Sequence, residues 1–414
     1  MIKETYIIKR KESALNVVQT TIESVRNKDI TRTGLRVYDN GLIGVAGKIG
    51  KADEDKLEAD ATEALKQKIS YPYELAGDNN LNLTFDCDIK NSNDFINETE
   101  DILYHLREKY PDFAFSNKAR IVNKNIQLKN DKNLDLSYQD KYISIELIYK
   151  TKDSINLMDG GIFYSSRKYD KKKILNFWGK ILNAHKNNMA LPKEGTYPVI
   201  FFEHAAFGLG FSKLIEDLNG LSFGSKTSLL SDKAGQKVFN NDFTLYQSLN
   251  PDDNIGAPFF DAEGIVNKDY RYTLIENGTV ITPYTDKKTA KMFNFPLTGS
   301  AGAAYDSIPG ICPVGFKIKE SGKTIKELLG GQQGILIMIS IGGNFTPQGD
   351  YAAPVQLAFF FDGENFIGRL TDIQLSSNMF DLFGKDYRGV SSNSLLPGLT
   401  NEKLLVMDMK VSKI

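Results

Sequence analysis

Three dipeptides, Asn40-Gly41, Asn277-Gly278 and Asp362-Gly363, each lie between two runs rich in β-branched, aliphatic or aromatic residues. Asn-Gly and Asp-Gly tolerate the positive φ of a tight hairpin turn, so each marks two antiparallel strands joined there. Beyond "MALPKEGTYP" at 189–198 this texture dominates: "DYRYTLIENGTVITPYT", "GILIMISIGG", "VQLAFFFDGENFIGRL" and "EKLLVMDMKV" are short strand-like runs among many glycines. That half is expected to be a large, mostly antiparallel β domain. A helix is expected at its front, near 203–219, with shorter ones near 286–293 and 376–383.

The first half alternates between periods. Ser13 is an N-cap candidate, and Ala14, Leu15, Val18, Ile22 and Val25 recur at helical spacing, so residues 13–27 read as an amphipathic helix. The hairpin at Asn40-Gly41 follows, and residues 52–69 return to helix. Residues 78–95, rich in Asn and Asp, read as a linker or long loop. A helix over 97–109 stops at Pro111. Runs at 119–128, 141–150 and 154–164 alternate like a half-buried antiparallel sheet. A longer helix runs from about Tyr169 to His185, its last histidine placed to meet free carbonyls. The fold class read from this order is α+β. A small helix-hairpin-helix unit covers residues 1–77, a middle α/β region 78–190, and the β-rich domain 191–414. With 414 residues, two or three domains of roughly 100–200 residues each are expected.

Acidic and basic residues nearly cancel, 52 against 51, which removes any global electrostatic case for nucleic acid. Cys87 and Cys312 are the only cysteines and form no CxxC, so neither a disulfide framework nor a cysteine-rich zinc site is indicated. The charged N-terminus lacks the apolar run of a signal peptide. No apolar run approaches the ~18 residues of a membrane span. A cytoplasmic protein is expected.

The chemistry concentrates at "YPVIFFEHAAFGLGF", where Glu203 and His204 open the front helix. A zinc-peptidase helix needs two histidines one turn apart and a glutamate beside them to activate water. One turn after His204 stands Gly208, which offers no ligand, and Glu203 lies about 100° round the helix from His204. The positions Glu203, His204 and Gly208 therefore read as a degenerate metal helix. Two further stretches carry candidate peptide-contact or turn residues. Asp261 and Glu263 in "DAEG" would face the same way on a strand, as a general acid/base or metal pair does, or face water on a turn, the setting Gly264 favours. Thr298 and Gly299 in "PLTGSAGAAYDS" offer backbone donors for a carboxylate, or are turn chemistry.

Several segments, in order, resemble the TldD/PmbA family, known as modulators of DNA gyrase and zinc-dependent metallopeptidases. They are "TGLRVYDNGLIGVAG", "YPVIFF", "LLSDKAGQKVFNNDFTLYQS", "GAPFFDAEGIVNKDYRYTLIENGTVITPYTDKKTAKMF", "PLTGSAG" and "GNFTPQGDYAAPVQLAFFFDGENFIGRLTDIQLSSNMFDLF". In the family, TldD-like members hold zinc with His-Glu-x-x-x-His and a late cysteine. PmbA-like members, also called TldE, lack those ligands and pair with a TldD subunit. Here the helix reads "EHAAFGLGFSKL" and the late segment, Gly389–Gly398, reads "GVSSNSLLPG", with serines in place of a thiolate. The resemblance implies the PmbA/TldE branch: no catalytic or metal residue in this chain, zinc in a TldD-like partner, and short or unfolded peptides as substrates. Alternatives left open are a peptide-binding or regulatory homodimer, and a metallopeptidase with a diverged metal site at His204. No nucleic acid or membrane partner is expected.

Overall fold

The computed structural model describes residues 1–203, 211–340 and 342–414. Its first layer is a seven-stranded sheet. The strands are β1 (Ile2–Val18), β2 (Thr21–Asp39), β3 (Leu42–Ile49), β4 (Asn79–Phe85), β5 (Phe113–Asn130), β6 (Leu134–Thr151) and β7 (Gly160–Ser166). They run in the order β3-β2-β1-β5-β6-β4, and β7 takes the far stretch of β6 beside β4. Only β4 runs parallel to its neighbour. The sheet draws strands from both sides of residues 77/78.

The helix expected over 13–27 is instead the end of β1, a turn, and the start of β2. Leu15 and Val17 alternate into the core at 0% and 1% exposure, a strand period rather than a helical one. The turn falls on Gln19 and Thr20, whose φ values of 47° and 65° are ones that neither residue advertises in sequence. The supposed linker 78–95 also holds structure. Leu81, Leu83 and Phe85 alternate along β4 and pack beside the buried Tyr138 and Phe259. The strand expected to open at 154 begins only at Gly160.

Helices α1 (Glu54–Ala64), α2 (Ser92–Lys109) and α3 (Lys171–His185) lie near where the helical periods placed them, although α2 opens at Ser92, inside the stretch read as a linker, rather than at 97. Asn91 and Asp170 cap α2 and α3 by accepting from the backbone N–H of Asp94 and Lys173. One stripe of each is buried: Phe95, Ile102 and Leu106 on α2, Ile174, Trp178 and Leu182 on α3. His185 does not meet free carbonyls. Arg369 donates to its Nε2 at 2.7 Å, and Nδ1 lies 3.0 Å from the Tyr149 hydroxyl. Burial and the Arg369 charge push this imidazole down to about 4.

The second half begins with β8 (Gly195–Phe202) and short helices at Ser212–Asp217 and Gly220–Gly224. Strands β9 (Leu245–Ser248), β10 (Arg271–Glu276), β11 (Thr279–Val280) and β14 (Phe316–Ile318) make a small sheet. β12 (Ala301–Gly302) pairs with β13 (Gly310–Ile311). The largest element is built from β8, β15 (Gly334–Ser340), β16 (Asn344–Phe345), β17 (Asp350–Phe361), β18 (Phe366–Leu370), β19 (Ile373–Asn378), β20 (Tyr387–Ser394) and β21 (Lys403–Lys413). The twelve-residue β17 pairs with β19 along its first half and with β15 along its second. Since β15 also pairs with β8, β8 with β21, and β21 with β19, the strands close into a ring. Closure removes the free edges that so many strands would otherwise expose.

Leu357, Phe359 and Phe361 on one face of β17 join the core made by α2, α3 and the first sheet. Val355, Ala358 and Phe360 face the ring interior with Val199, Phe201 and Leu405. The two halves thus share an apolar core. The helices expected near 286–293 and 376–383 are observed at Lys287–Phe293 and Met379–Phe383. Of the front helix expected over 203–219, the described part holds Glu203 and Ser212–Asp217. His204 and Gly208 lie outside the described residues. Among those residues, no helix is long and apolar enough to cross a membrane.

Candidate functional site

A cavity of about 1220 Å³ lies where the first sheet and α3 meet the ring and its loops. β7 supplies one wall through Phe163, Ser165 and Ser166. Across from it stand Phe202 and Glu203 at the end of β8, Met338 of β15, and Phe316 and Lys317 of β14. The late segment closes another side with Leu395, Leu396 and Gly398. Both halves of the expected degenerate site, Glu203 and the Gly389–Gly398 segment, therefore face one space although nearly 200 residues separate them in sequence.

Glu203 is 3% exposed, and both its oxygens are taken. Lys317 Nζ donates to Oε2 at 2.6 Å and the backbone N–H of Ile318 donates to Oε1 at 2.8 Å. Burial pushes this carboxyl above its usual range, against the opposing pull of Lys317. In the late segment, the Ser391 hydroxyl donates to the Asn393 carbonyl and accepts from the Leu404 N–H. These are poor zinc donors: a carboxylate saturated by an ammonium and an amide, and a hydroxyl already spent on backbone. Cys87 sits in the apolar core, its thiol pushed up by burial. Cys312 packs against Gly302, beside Pro313 of the cavity wall. Among the described residues, no group of three or more His, Cys, Asp or Glu is placed to hold a metal ion. Among the described residues of these two segments, none offers a free ligand of the kind the TldD branch uses for zinc.

Asp261, Glu263, Thr298 and Gly299 are outside the cavity lining, at the seam between the two halves. Gly264, at φ 77°, makes the turn, but Asp261 and Glu263 are each 3% exposed instead of facing water. The Asp261 carboxylate accepts from the N–H groups of Glu263, Ile265 and Ala301. Complete burial and the Glu263 charge push its carboxyl up to about 7, opposed by those three donors. Glu263 accepts from the Tyr71 hydroxyl and the Lys287 N–H. Thr298 is locked to Gln247 and Thr285 through both side chain and backbone. Next to this cluster, the fully buried Arg36 of β2 donates from Nη1 to Glu4 at 3.0 Å and to the Ala262 carbonyl at 2.6 Å. Two of these bonds, Tyr71 to Glu263 and Arg36 to the Ala262 carbonyl, tie the first half to the second, whereas those of Asp261 and Thr298 brace the second half itself.

Sequence reasoning missed Lys317, Phe163 and Arg167. Arg167 forms a two-pronged pair with the buried Asp140, at 2.7 and 2.9 Å, and also donates to the Pro251 carbonyl. No local signal could have found these three, because each acts on partners brought near only by the sheets. A 46% exposed phenylalanine inside a strand of alternating burial is visible only once the wall exists.

A β-rich ring docked on a long, mostly antiparallel sheet, with a cavity where the two meet, defines a two-part chain whose halves share one apolar core. Residues 194–413, more than half of the chain, match the family model described as the PmbA/TldA metallopeptidase C-terminal domain. The chain belongs to this metallopeptidase family, the TldD/PmbA family. It is 22% identical over 293 residues to an uncharacterized protein of Methanocaldococcus jannaschii, covering 66% of this chain and 65% of that relative's length. Among solved structures, TldE from Thermococcus kodakarensis superposes with a TM-score of 0.79 at 19% identity, covering 99% of this chain and 96% of that one. A Thermotoga maritima protein, named as a proposed modulator of DNA gyrase, gives 0.79 at 16% identity with the same coverages. A Bacteroides thetaiotaomicron protein named in the same way gives 0.77 at 16%, covering 100% and 95%. At these identities the likeness establishes the shared fold.

Proposed function

We propose that this chain is a non-catalytic, TldE/PmbA-like subunit of a heteromeric zinc metallopeptidase that processes short or unfolded peptides. Hydrolysis and zinc belong to a TldD-like partner, and this chain supplies cavity wall and substrate contacts. The observation that carries this reading is Glu203. It stands where the metal helix begins, yet Lys317 and the Ile318 N–H occupy both its oxygens. The serine-rich late segment on the same cavity supports it, as does the likeness to TldE.

A surface feature supports the partner. The loop between β6 and β7 presents Ile155 and Leu157 to solvent at 98% and 99% exposure. It is braced from within: the Asp159 carboxylate accepts from Thr151, Ser154 and Asn156. A braced loop that holds two aliphatic side chains in water is the kind of surface another subunit covers. Co-expression with a sibling bearing His-Glu-x-x-x-His tests the association. Co-elution at a fixed ratio is expected. A chain that elutes alone, or only as a homodimer in the presence of that sibling, overturns the heteromeric reading in favour of a regulatory homodimer.

A further inference from the structure

We infer that the cavity selects peptides carrying a bulky apolar side chain, and that Phe163 is the platform on which that side chain rests. The inference builds on the reading of the cavity as a peptide site. The volume of about 1220 Å³ exceeds the ~300–1,000 Å³ typical of a pocket for one small molecule, and so suits a stretch of chain. Its wall is divided. Phe163, Phe177, Ile181, Met338, Leu395 and Leu396 gather apolar surface; Glu146, the cross-strand partner of Phe163, borders it with its charge met by Arg120, and Glu203 with Lys317, and Arg167 with Asp252, put charge elsewhere on the lining.

Phe163 is unusual within that wall because it is 46% exposed while its strand neighbours Ile162 and Tyr164 are buried at 0% and 3%. Two features fix the ring in place. The fully buried Trp178 donates from Nε1 to the Phe163 carbonyl, at 3.4 Å, which holds the β7 backbone. Gly161, two residues earlier and on the same face, leaves room for the ring. A Cβ added there would lie 2.3 Å from Phe163 Cζ. The ring therefore lies back over the strand and turns its other face to the cavity. A fixed aromatic face loses little entropy on binding and gains by stacking or by covering an aliphatic group. The Ser165 hydroxyl on the neighbouring rim can serve the peptide backbone without selecting sequence, as can Ser144 as an acceptor, its own proton being given to Glu146.

The test is calorimetric titration of the full chain with acetylated Gly/Ser hexapeptides bearing Phe, Leu or Ser at one central position. Phe- and Leu-bearing peptides are expected to bind at least about tenfold more tightly than the Ser peptide, an anchor-sized difference. Phe163→Ala should abolish that difference, and Phe163→Tyr should keep it. Because Phe163 is half exposed, both variants are expected to fold, and an unchanged urea midpoint verifies this. Peptides that bind without apolar preference, or a preference that survives Phe163→Ala, overturn the inference and leave the peptide site standing. Absence of binding by all three peptides overturns the peptide site and the inference together.

Discussion

Replacing Arg36 with methionine removes a positive charge from the seam while keeping most of the side-chain volume. Arg36 is 0% exposed and Glu4 is 2% exposed, so their pair lies in low dielectric. Its Nη1 serves Glu4 and the Ala262 carbonyl, whereas Nε and Nη2 have no hydrogen-bond partner among the described residues. Two consequences oppose each other. Stripping a buried pair of one partner typically costs ~3–5 kcal/mol, because the remaining charge stays buried without compensation. Against that, methionine also removes Nε and Nη2, whose N–H groups are already unsatisfied, and that relief offsets about 1 kcal/mol of the loss. Glu4 would keep the Tyr38 hydroxyl and the Asn130 amide, which soften its isolation but do not neutralise it. The net expectation for Arg36→Met is a loss of about 2–4 kcal/mol. Glu4→Gln combined with Arg36→Met removes the stranded charge as well, and should recover at least half of the loss. Urea titration followed by tryptophan fluorescence reads both, since Trp178 is buried in the shared core. An Arg36→Met protein as stable as the parent, or a double variant no better than the single one, refutes this reading of the seam.

Two further perturbations follow from the same geometry. The imidazole of His185 is held near 4 in the folded chain against ~6.5 unfolded, so the unfolded state binds the extra proton between those values. Its contribution to stability is therefore complete above about pH 6.5 and is lost as pH falls towards 4; His185→Gln should flatten that slope in urea midpoints collected across the range. Gly34→Ala places a Cβ 1.6 Å from the Tyr305 carbonyl oxygen, so the loop from the second half must move off the first sheet. A loss of at least ~2 kcal/mol and faster proteolysis near residues 303–309 are expected, and wild-type stability would contradict the contact.

The hairpins at Asn40-Gly41 and Asn277-Gly278 were legible because both turn residues take the positive φ they accept cheaply; at the third, a four-residue turn over 362–365, only Gly363 does. α2 and α3 were legible because a buried stripe at helical spacing has few alternatives over 15 or more residues. The hairpin at Gln19-Thr20 was not, since tertiary pairing with β5 forces a turn on residues with no intrinsic preference for it. β4 was obscured because its apolar residues alternate with Asn80, Asn82 and Thr84, which face outwards. At the candidate site, sequence could point to Glu203 and to the late segment. It could not supply Lys317, which lies 114 residues away and meets Glu203 only because β14, paired with β9, comes beside the end of β8. Nor could it show that Asp261 and Glu263 are buried, because the surface that covers them comes from β1, β2 and Tyr71.

The division of labour between two chains is tested most directly by zinc content and peptide hydrolysis measured on three samples. These are this chain alone, its sibling bearing His-Glu-x-x-x-His alone, and the two purified together. We expect no stoichiometric zinc and no hydrolysis from this chain, and about one zinc per pair with rapid hydrolysis from the assembly. Tight zinc binding with hydrolysis by this chain alone would contradict it.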